Sequence, residues 1–419
     1  MKKLLLVFSL IISFNEAFCT HIIGGEMRYE YIGPGTAPNS KQYKIRLLLL
    51  RGVTGAGFIN QYIVGVFNND NNQKVIGPAA NNNWAAVEEF SNPLPVPIIV
   101  SPCIQPPPPP PGYTYKIYSF IIELPDNGNG YTVAFQTFSR QGSENIVANQ
   151  GANYSCIIPG LNTLPQPQTD NSPSFSLPIS VICENSYFTL DFSAADVEGD
   201  SLVYNFCEAY DGGLATLADF QDPAPPMYNS VVYVPPYNFA FPMGPQVTID
   251  PHTGIISGIA PPFGVTGRYV VCVCASEYRN GVFVTVHRKD LIVQVYTCVP
   301  LQANPNFVPI TCDGFTVNFQ DMSSGNPSTF LWNFGDPASG AANTSPLPNP
   351  THTFTDTGIF QIKLVVSLNG QCIDSVTKPL AVYPGFLPGF ITSASHCANV
   401  AVQFFDTTYS RYAPVNSWH

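Results

Sequence analysis

Three carboxylates alternate along one short segment of the chain and could together bind a metal ion. Asp196, Glu198 and Asp200 stand at every second position, and Gly199 separates the last two. Calcium is a hard cation that takes six to eight oxygen ligands, and alternating carboxylates can supply several of them. The alternative is that Gly199 and Asp200 form a turn whose acids are solvated. The segment therefore predicts either a calcium loop, with calcium as the cofactor, or an acidic turn.

The cysteines form the second set of residues with chemical potential. The chain has 11, and removal of Cys19 with an export signal would leave ten. In an exported chain the usual fate of cysteine is the disulfide. The Cys-x-x-Cys and His-x-x-x-His clips of zinc sites are absent. In a strand, Cys272 and Cys274 would lie on one face, which favours two separate cross-strand bridges. The mature cysteines are Cys103, Cys156, Cys183, Cys207, Cys272, Cys274, Cys298, Cys312, Cys372 and Cys397.

Histidine and serine are not arranged in any familiar catalytic motif. The sequence lacks Gly-x-Ser-x-Gly, His-Glu-x-x-His and the phosphate-binding Gly-x-x-x-x-Gly-Lys-Ser/Thr pattern. We therefore predict a chain that is not an enzyme. The six histidines are His21, His252, His287, His352, His396 and His419.

Tyrosines at several positions could stack on sugar rings. Tyr113, Tyr115 and Tyr118 fit a strand face, and Tyr228 and Tyr237 lie in proline-rich loops. The alternative for each ring is packing in a core or at a sheet edge. A carbohydrate-binding module in residues 20–165 is thus a further hypothesis.

The composition favours β-structure and argues against several partners. The chain has 41 prolines and 32 glycines in 419 residues, and proline costs about 3 kcal/mol inside a helix. Hydrophobic residues make up 45% of the chain, which is ample for packed cores, and charged residues make up 11%. A net charge of −11 repels nucleic acid. These values predict an all-β chain with no nucleic-acid partner.

The N-terminus has the features of a signal peptide. A basic start at residues 2–3 precedes the apolar segment Leu4–Ile12, and Ala17 and Cys19 occupy the −3 and −1 positions of a cleavage site. The apolar segment is too short to span a bilayer, and no other stretch qualifies. Acylation of Cys19 is the alternative, which Phe18 disfavours. We expect residues 1–19 to be removed and the chain to be secreted or extracellular, with attachment to the cell surface as a further option.

Proline-rich breaks divide the mature chain into modules. Residues 20–165 form a β-rich domain with strands at Tyr43–Leu50, Tyr113–Leu124 and Tyr131–Phe138. The run Pro106–Pro111 inside it is a stiff loop or a recognition motif of polyproline type. Residues 166–299 contain evenly spaced strand signals, which is typical of a sandwich. These signals are Ser186–Phe192, Leu202–Cys207, Ser230–Val234, Gln246–Ile249, Arg268–Ala275 and Val282–Tyr296.

Three short motifs follow one another in the next module, Trp332–Asp336, Asn349–Phe354 and Gly358–Phe360. Through these motifs, residues 300–383 resemble the PKD (polycystic kidney disease) domain, an Ig-like β-sandwich. The resemblance implies packed structural roles for the signature residues, including the histidine. Cys312 and Cys372 are the only cysteines in this segment, and we expect them to bridge; a second predicted bridge joins Cys103 and Cys156. The signature residues are Trp332, Phe334, Gly335, Asp336, Asn349, Pro350, His352, Phe354 and Gly358.

The PKD pattern starts again after residue 384. Cys312 is followed by phenylalanine at +7 and aspartate at +9, and Cys397 is followed by the same types at the same offsets. Trp418 then corresponds to Trp332 with one residue inserted. We expect residues 384–419 to be the truncated start of a second PKD domain, poorly packed and with Cys397 unpaired. The predicted fold class is therefore all-β, with tandem Ig-like β-sandwich domains of which the last is truncated.

Two further resemblances concern the earlier modules. Residues 166–299 are similar to cadherin-like and related Ig-like modules, through Ala195–Tyr204 and Thr248–Gly258. That resemblance implies the calcium role of the acidic loop, although Glu198 stands where the family usually has aspartate. The segments Thr20–Glu26 and Tyr43–Leu50 resemble the start of large secreted Bacteroidetes proteins. Such proteins carry PKD arrays and often end in a gliding-motility-associated sorting domain for type IX secretion.

Together these observations predict a non-catalytic secreted or cell-surface protein. Its tandem sandwiches would act as a spacer and as an adhesion surface for cell-surface proteins or polysaccharides. The alternative is the non-catalytic front end of a secreted hydrolase whose enzyme domain lies beyond residue 419.

Overall fold

In the part of the chain that the computed structural model describes, every long element is a strand, which confirms the predicted all-β class. The described part of the chain contains two short 3-10 helices, Ala80–Asn82 and Pro337–Asn343, and no helix there is long and apolar enough to cross a membrane. The predicted signal peptide, the run Pro106–Pro111, Cys103, Cys397 and Trp418 lie outside the described residues. The described residues are 22–52, 57–100, 104, 112–165, 168–177, 179–213, 221–368, 370, 372–393, 401–411 and 414–417.

Thirty-two strands follow one another along the described chain. The first nine are β1 (Ile22–Pro34), β2 (Ser40–Gly52), β3 (Gln61–Asn68), β4 (Trp84–Glu88), β5 (Leu94–Pro95), β6 (Ile98–Ile99), β7 (Tyr113–Pro125), β8 (Tyr131–Thr137) and β9 (Ala152–Ile158). The next ten are β10 (Ser174–Phe175), β11 (Ile179–Ser180), β12 (Ile182–Cys183), β13 (Tyr187–Asp191), β14 (Ala194–Ala195), β15 (Ser201–Phe206), β16 (Val247–Ile249), β17 (Ile255–Ile259), β18 (Arg268–Arg279) and β19 (Val282–Tyr296). The remainder are β20 (Pro305–Asn306), β21 (Ile310–Thr311), β22 (Thr316–Asn318), β23 (Gln320–Asp321), β24 (Thr329–Asn333), β25 (Thr344–Ser345), β26 (Thr351–Thr353), β27 (Gly358–Leu368), β28 (Cys372–Val382), β29 (Phe386–Leu387), β30 (Phe390–Thr392), β31 (Phe404–Asp406) and β32 (Tyr409–Ser410).

The chain divides into two compact units. The first comprises Met1–Ile99 and Pro109–Thr297, and the second comprises Val100–Pro108 and Cys298–His419. In the first unit one sheet runs in the order β15-β18-β19-β1-β2-β7-β4-β3-β8-β9. Strand β1 pairs with β19 from Gly24 opposite Leu291 to Glu26 opposite Lys289. The module boundary expected between residues 165 and 166 therefore falls inside one compact unit.

The close approach of β1 to both neighbours depends on two glycines. A Cβ atom on Gly24 would lie 2.5 Å from the carbonyl oxygen of Asp290, and one on Gly25 would lie 2.5 Å from that of Leu48. Both contacts are far inside van der Waals distance and involve backbone atoms that cannot move aside. The Gly-Gly step is therefore what lets β1 join the two halves of the sheet.

The centre of this sheet is buried on both faces. Leu47 and Leu49 of β2 point into one core, which they share with Val133 of β8. Leu48 and Leu50 point into the other core, which they share with Val271 of β18. Successive side chains of a strand face opposite sides, so a strand covered on both sides is apolar throughout. This explains why the predicted strand over 43–50 begins with alternation and ends as a continuous leucine run.

Each core is closed by a second layer. Strand β3 pairs with β4 through Gln61–Val64 and with β8 through Gly65–Asn68, and so passes from one layer of the N-terminal sandwich to the other. The opposite core is covered by the three-stranded sheet β13-β17-β16, which contributes Phe188, Leu190 and Ile256. Two sandwiches thus share one continuous sheet.

The second unit contains a smaller sandwich. Its sheets are β21-β28-β27-β24-β25 and β22-β26. Trp332 and Phe334 alternate with exposed residues and point into a core with Val317, Phe319 and Leu364. Beyond it, β29 pairs with β32 and β30 with β31. The large apolar side chains of these short strands are mostly exposed, as expected for residues 384–419; they are Leu387, Phe390, Ile391, Phe404, Phe405 and Tyr409.

The predicted Cys312–Cys372 disulfide is wrong. Cys312 is a free thiol, whereas Cys372 is bonded elsewhere. Strand β21 pairs in parallel with the far end of β28, with Thr311 beside Val382, while Cys372 opens that strand. At about 3.3 Å per residue the two cysteines stand roughly 30 Å apart along β28, far beyond bridging distance.

The other predicted bridges also change. Cys156 is a free, buried thiol, so its predicted bond to Cys103 does not form. Cys207 bonds to Cys274, and Cys272 remains a free thiol. The prediction of two separate bridges from Cys272 and Cys274 is therefore wrong for Cys272. Cys183 and Cys298 are both disulfide-bonded.

Candidate functional site

A cluster of buried ionisable side chains lies where the two sandwiches of the first unit join. Beyond Glu26 strand β1 leaves β19, and residues 170–172 run beside it. The Ser172 amide donates to the carbonyl of Tyr29, and the Tyr29 amide donates to Ser172 Oγ, both at 2.9 Å. This segment brings Asp170 against strands β18 and β19. We call the group the junction cluster; it consists of Tyr29, Asp170, Asp200, Glu277, Arg279 and His287.

Arg279 holds the acidic side chains of the junction cluster together. Its Nη2 atom lies 2.6 Å from both Asp170 Oδ1 and Asp200 Oδ2, and its Nε atom donates to Asp200 Oδ2 at 2.8 Å. Its Nη1 atom donates to the carbonyl of Thr169 at 2.9 Å. The hydrogen bonds that Arg279 donates to Asp200, and the charges of nearby carboxylates, raise the pKa of the guanidinium, so Arg279 stays charged. One arginine therefore ties two distant segments, residues 169–170 and the loop that ends at Asp200, to β18.

Glu277 and His287 form a buried pair within the cluster. Glu277 Oε2 lies 2.6 Å from His287 Nε2, and both side chains are almost inaccessible to solvent. Burial raises the pKa of Glu277 to about 8 and lowers the pKa of His287 to about 4. At neutral pH the pair therefore holds one proton on the carboxyl or between the two groups and carries no full charge on the imidazole.

Asp170 completes the cluster from the opposite side. Its Oδ2 atom accepts a hydrogen bond from the hydroxyl of Tyr29. Burial and the nearby Glu277 raise the pKa of Asp170 to about 7, although Arg279 acts in the opposite direction. Burial and Asp170 raise the pKa of Tyr29, so the phenol keeps its proton. The carboxyls are neutralised by protons and by Arg279, and the arrangement acts as a clamp between segments.

The predicted calcium ligands do not converge on one point. Asp196 Oδ1 accepts from the amide of Asp200 at 2.8 Å, so the loop closes as a turn. Glu198 accepts from Asn171 instead of facing Asp200. Asp200 alone of the three reaches the junction cluster, where its carboxylate is bonded to Arg279. The alternative expectation, an acidic turn, describes this geometry.

A different trio of carboxylates does come together, but it does not fit calcium. Oxygens of Asp170, Asp200 and Glu277 lie within 4.8 Å of one another. Two of the three carboxylates already bind Arg279, which supplies the positive charge that calcium would bring. The third is bonded to His287 and has a raised pKa. A dication beside this guanidinium would be repelled, so we assign the trio no metal.

A second buried ion pair crosses the same unit. The guanidinium of Arg140 donates to both carboxylate oxygens of Asp290, at 2.9 and 2.7 Å, and its Nη2 atom also donates to the carbonyl of Tyr210 at 3.0 Å. Both partners of the pair are buried. Arg140 follows β8 and Asp290 lies in β19, so this pair ties the N-terminal sandwich to the shared sheet.

Several of the PKD signature residues pack or hydrogen-bond around the turn that follows Trp332. His352 stacks on Phe334, with ring centroids 4.3 Å apart, and its Nε2 atom lies 3.2 Å from Asp336 Oδ2. Asp336 also accepts from the amide and hydroxyl of Thr355, at 2.9 and 2.6 Å. Gly335 has φ +67°, a conformation that favours glycine, and it sharpens the turn between Phe334 and Asp336.

The remaining signature residues support the same turn and core. The side-chain oxygen of Asn349 accepts a hydrogen bond from the backbone amide of Asp321. The carbonyl of Pro350 accepts one from the backbone amide of Phe319. Phe354 is buried against His352, and Gly358 opens β27.

The tyrosines considered for sugar stacking are mainly packing residues. Tyr118 is fully buried and donates to the carbonyl of Ile59, and Tyr113 is buried in the opposite core. Tyr237 packs edge-on against Tyr269, and Tyr228 contacts Tyr210. Tyr115 is partly buried against the core that contains Tyr113. These rings do not form an exposed aromatic face.

The sequence of residues 304–382 matches the PKD domain family. This segment lies within the 300–383 module expected from the sequence and confirms that resemblance. It covers the sandwich that contains Trp332 and His352. No curated protein sequence matches the chain.

Several solved structures match the chain at low identity. Eight Ig domains of Down Syndrome Cell Adhesion Molecule are 11% identical, with 88% of this chain and 43% of that chain covered and a TM-score of 0.20. Mouse cadherin-23 EC22–24 is 12% identical over 86% of this chain and 99% of that chain, with a TM-score of 0.19. A tetra-tandem repeat of a large adhesion protein is 11% identical over 85% and 74%, with a TM-score of 0.18. The chain thus spans less than half of the first of these structures.

Proposed function

We propose that this chain is an exported, non-catalytic protein whose β-sandwiches serve as a stiff spacer and an adhesion surface. The observation that carries the proposal is the continuous sheet of the first unit, which is buried on both faces at β1 and β2. A hinge between two sandwiches needs a linker with few contacts. Here a shared sheet replaces the linker, so the two sandwiches resist bending relative to each other.

The chemistry of the first unit supports a structural role for its buried charges. Arg279 and Arg140 each bridge segments that are far apart in sequence. The Cys207–Cys274 disulfide fastens β15 to β18. Disulfides persist in oxidising compartments, which supports export. The resemblance of residues 20–26 and 43–50 to secreted Bacteroidetes proteins supports type IX secretion as the route, and N-terminal sequencing of the exported chain should then begin at Thr20.

Adhesion to polysaccharides or to cell-surface proteins is the activity proposed for this spacer. The test is retention of beads coated with residues 20–419 on immobilised cell-wall and extracellular polysaccharides and on intact cells. Saturable retention without release of sugar fragments supports adhesion. Release of fragments by the folded chain would contradict the non-catalytic role, and the absence of retention on every surface would contradict adhesion. Beads coated with heat-unfolded chain are the matched control.

A further inference from the structure

Three cysteine sulfurs meet at the end of strand β15. Cys207 Sγ is bonded to Cys274 Sγ, and it also lies 3.5 Å from the Sγ atom of the free thiol Cys272. All three side chains are buried at the edge of the core shared with Val271. A free thiol in contact with a disulfide is the arrangement from which thiol–disulfide exchange starts.

The strand register explains why one sulfur reaches two partners. Strand β15 pairs with β18 so that Asn205 lies opposite Cys274 and Phe206 lies opposite Val273. One step further, the amide of Cys207 donates to the carbonyl of Cys272 at 3.0 Å. Cys207 is therefore opposite Cys272 and diagonal to Cys274, whose Cα atom is 5.8 Å away. Residues two apart on β18 share a face, so both thiols point toward Cys207.

We propose that Cys207 exchanges its disulfide partner between Cys274 and Cys272. The thiolate of Cys272 attacks Cys207 Sγ, a Cys207–Cys272 bond forms and the Cys207–Cys274 bond breaks. Cys274 leaves as a thiolate and takes up a proton equivalent to the one that Cys272 lost. The numbers of disulfides, thiols and electrons do not change, so the step requires no oxidant or reductant.

The distance between the reacting atoms supports this step. Reacting atoms about 3–3.5 Å apart are close enough for attack without a large rearrangement. Both candidate bonds join the same two strands, so exchange moves the fastening point by two residues on β18 and leaves β15 in its sheet. The fold thus has two interchangeable fastenings for the edge strand β15.

The surroundings of Cys272 make the exchange slow at neutral pH. Burial raises the pKa of the Cys272 thiol to about 12, while the guanidinium groups of Arg288 and Arg140 favour the thiolate. The thiolate is the attacking species, so the rate should rise with pH. The ionisable groups that face Cys272 from neighbouring elements are Arg288, Asp290, Arg140, Tyr154 and Tyr233.

Counting free thiols in serine variants tests the proposal without knowledge of a ligand. The full mature chain is oxidised in air, unfolded in acid and alkylated, and its mass is then measured by mass spectrometry. The Cys274→Ser variant has lost one bonded sulfur. If Cys272 takes its place, the variant has one free thiol fewer than the wild type. If it does not, Cys207 and Cys272 are both free and the variant has one free thiol more.

The controls separate exchange from general disturbance. Cys272→Ser should also have one free thiol fewer and keep the Cys207–Cys274 bond. Cys156→Ser removes a buried thiol of the other core and should lose one thiol with no change in pairing. Should Cys274→Ser fail to fold, the wild type still decides the matter. After incubation of the wild type at pH 9, tandem mass spectra of the peptide that contains Cys272 and Cys274 should place the alkyl group on Cys272 in some molecules and on Cys274 in others. One free thiol more in folded Cys274→Ser, or wild-type alkylation confined to Cys272, would overturn the proposal.

Discussion

Arg279 donates from Nε and Nη2 to the same oxygen of Asp200, at 2.8 and 2.6 Å. The last residue of the acidic loop is thus bound by a cation that the chain itself supplies from β18. The same guanidinium reaches Asp170, which lies 109 residues away in sequence. This contact favours the interpretation of the acidic loop as a turn and is the basis of the stability that we predict at the junction of the two sandwiches.

Replacement of Arg279 by glutamine should strongly destabilise the first unit. The variant leaves Asp170 and Asp200 buried without their cation, and removal of one partner of a buried ion pair costs about 3–5 kcal/mol. Urea unfolding followed by tyrosine and tryptophan fluorescence measures the loss. Arg46→Gln is the matched control, because Arg46 pairs with Glu30 and Glu89 at a more exposed position. Exposed pairs contribute about 1 kcal/mol or less, so equal losses in the two variants would contradict the role of Arg279.

Calcium should have no effect on the melting temperature of the mature chain. Two carboxylates of the buried trio are engaged by Arg279, and Asp196 and Glu198 face other partners. Differential scanning calorimetry in excess calcium and in excess chelator should give the same curve. A higher melting temperature in calcium that disappears in Asp200→Asn would show that the loop binds the ion after all.

The first unit should lose stability as the pH rises from about 6.5 to 8. Burial holds the pKa of Glu277 at about 8 and that of Asp170 at about 7, so the native state binds protons that the unfolded state has released. The free energy of unfolding then falls with pH, by about 1.4 kcal/mol per pH unit for each such proton. Below about pH 6.5 the lowered pKa of His287 has the opposite effect, because the unfolded histidine gains a proton first.

Urea unfolding at several pH values measures this slope, and two variants identify its origin. Glu277→Gln removes one of the two groups with a raised pKa and should reduce the pH dependence between pH 6.5 and 8. Glu123→Gln is the control, because hydrogen bonds from Ser40, Ala37 and Thr36 lower the pKa of Glu123 to about 2, outside this range. A slope that is unchanged in Glu277→Gln would exclude Glu277 as its source.

Alanine at position 24 should separate β1 from β19. The new Cβ would lie 2.5 Å from the Asp290 carbonyl and 2.9 Å from the Leu291 Cα, and both are backbone atoms. Overpacking of this kind costs about 1–3 kcal/mol, and faster hydrogen exchange of the Gly24–Glu26 amides would locate the damage. Gly52→Ala is the control, since a Cβ there meets nothing within 4 Å. Similar exchange rates in both variants would contradict the close approach.

The parts of this fold that depend on residues close together in sequence can be predicted from the sequence. Trp332 and Phe334 alternate within five residues, and the turn at Gly335 follows directly, so the PKD sandwich is recognisable. The leucine run at 47–50 indicates a strand buried on both faces. It does not indicate that the two faces belong to two sandwiches, because the partner β19 lies more than two hundred residues later.

The site depends on register and on contacts between distant segments. Cys312 and Cys372 share one module, but the parallel pairing of β21 with the end of β28 separates them. Asp170 and Arg279 meet only because residues 170–172 run along β1. A signal for the junction cluster did exist, since the ionisable His287 lies inside the predicted strand Val282–Tyr296 and Glu277 follows the predicted strand Arg268–Ala275 by two residues. Such residues need a buried partner, although periodicity alone cannot name it.

The measurement that tests the shared sheet most directly is thermal unfolding of three matched valine variants, each at a fully buried position. Val133→Ala weakens the N-terminal core, Val271→Ala weakens the core on the opposite face, and Val366→Ala weakens the PKD core. If the two sandwiches fold as one unit, Val133→Ala and Val271→Ala lower the midpoint temperature of the same single unfolding transition. Val366→Ala then leaves the midpoint temperature of that transition unchanged. Separate transitions for Val133→Ala and Val271→Ala would contradict the shared sheet as the basis of a stiff spacer.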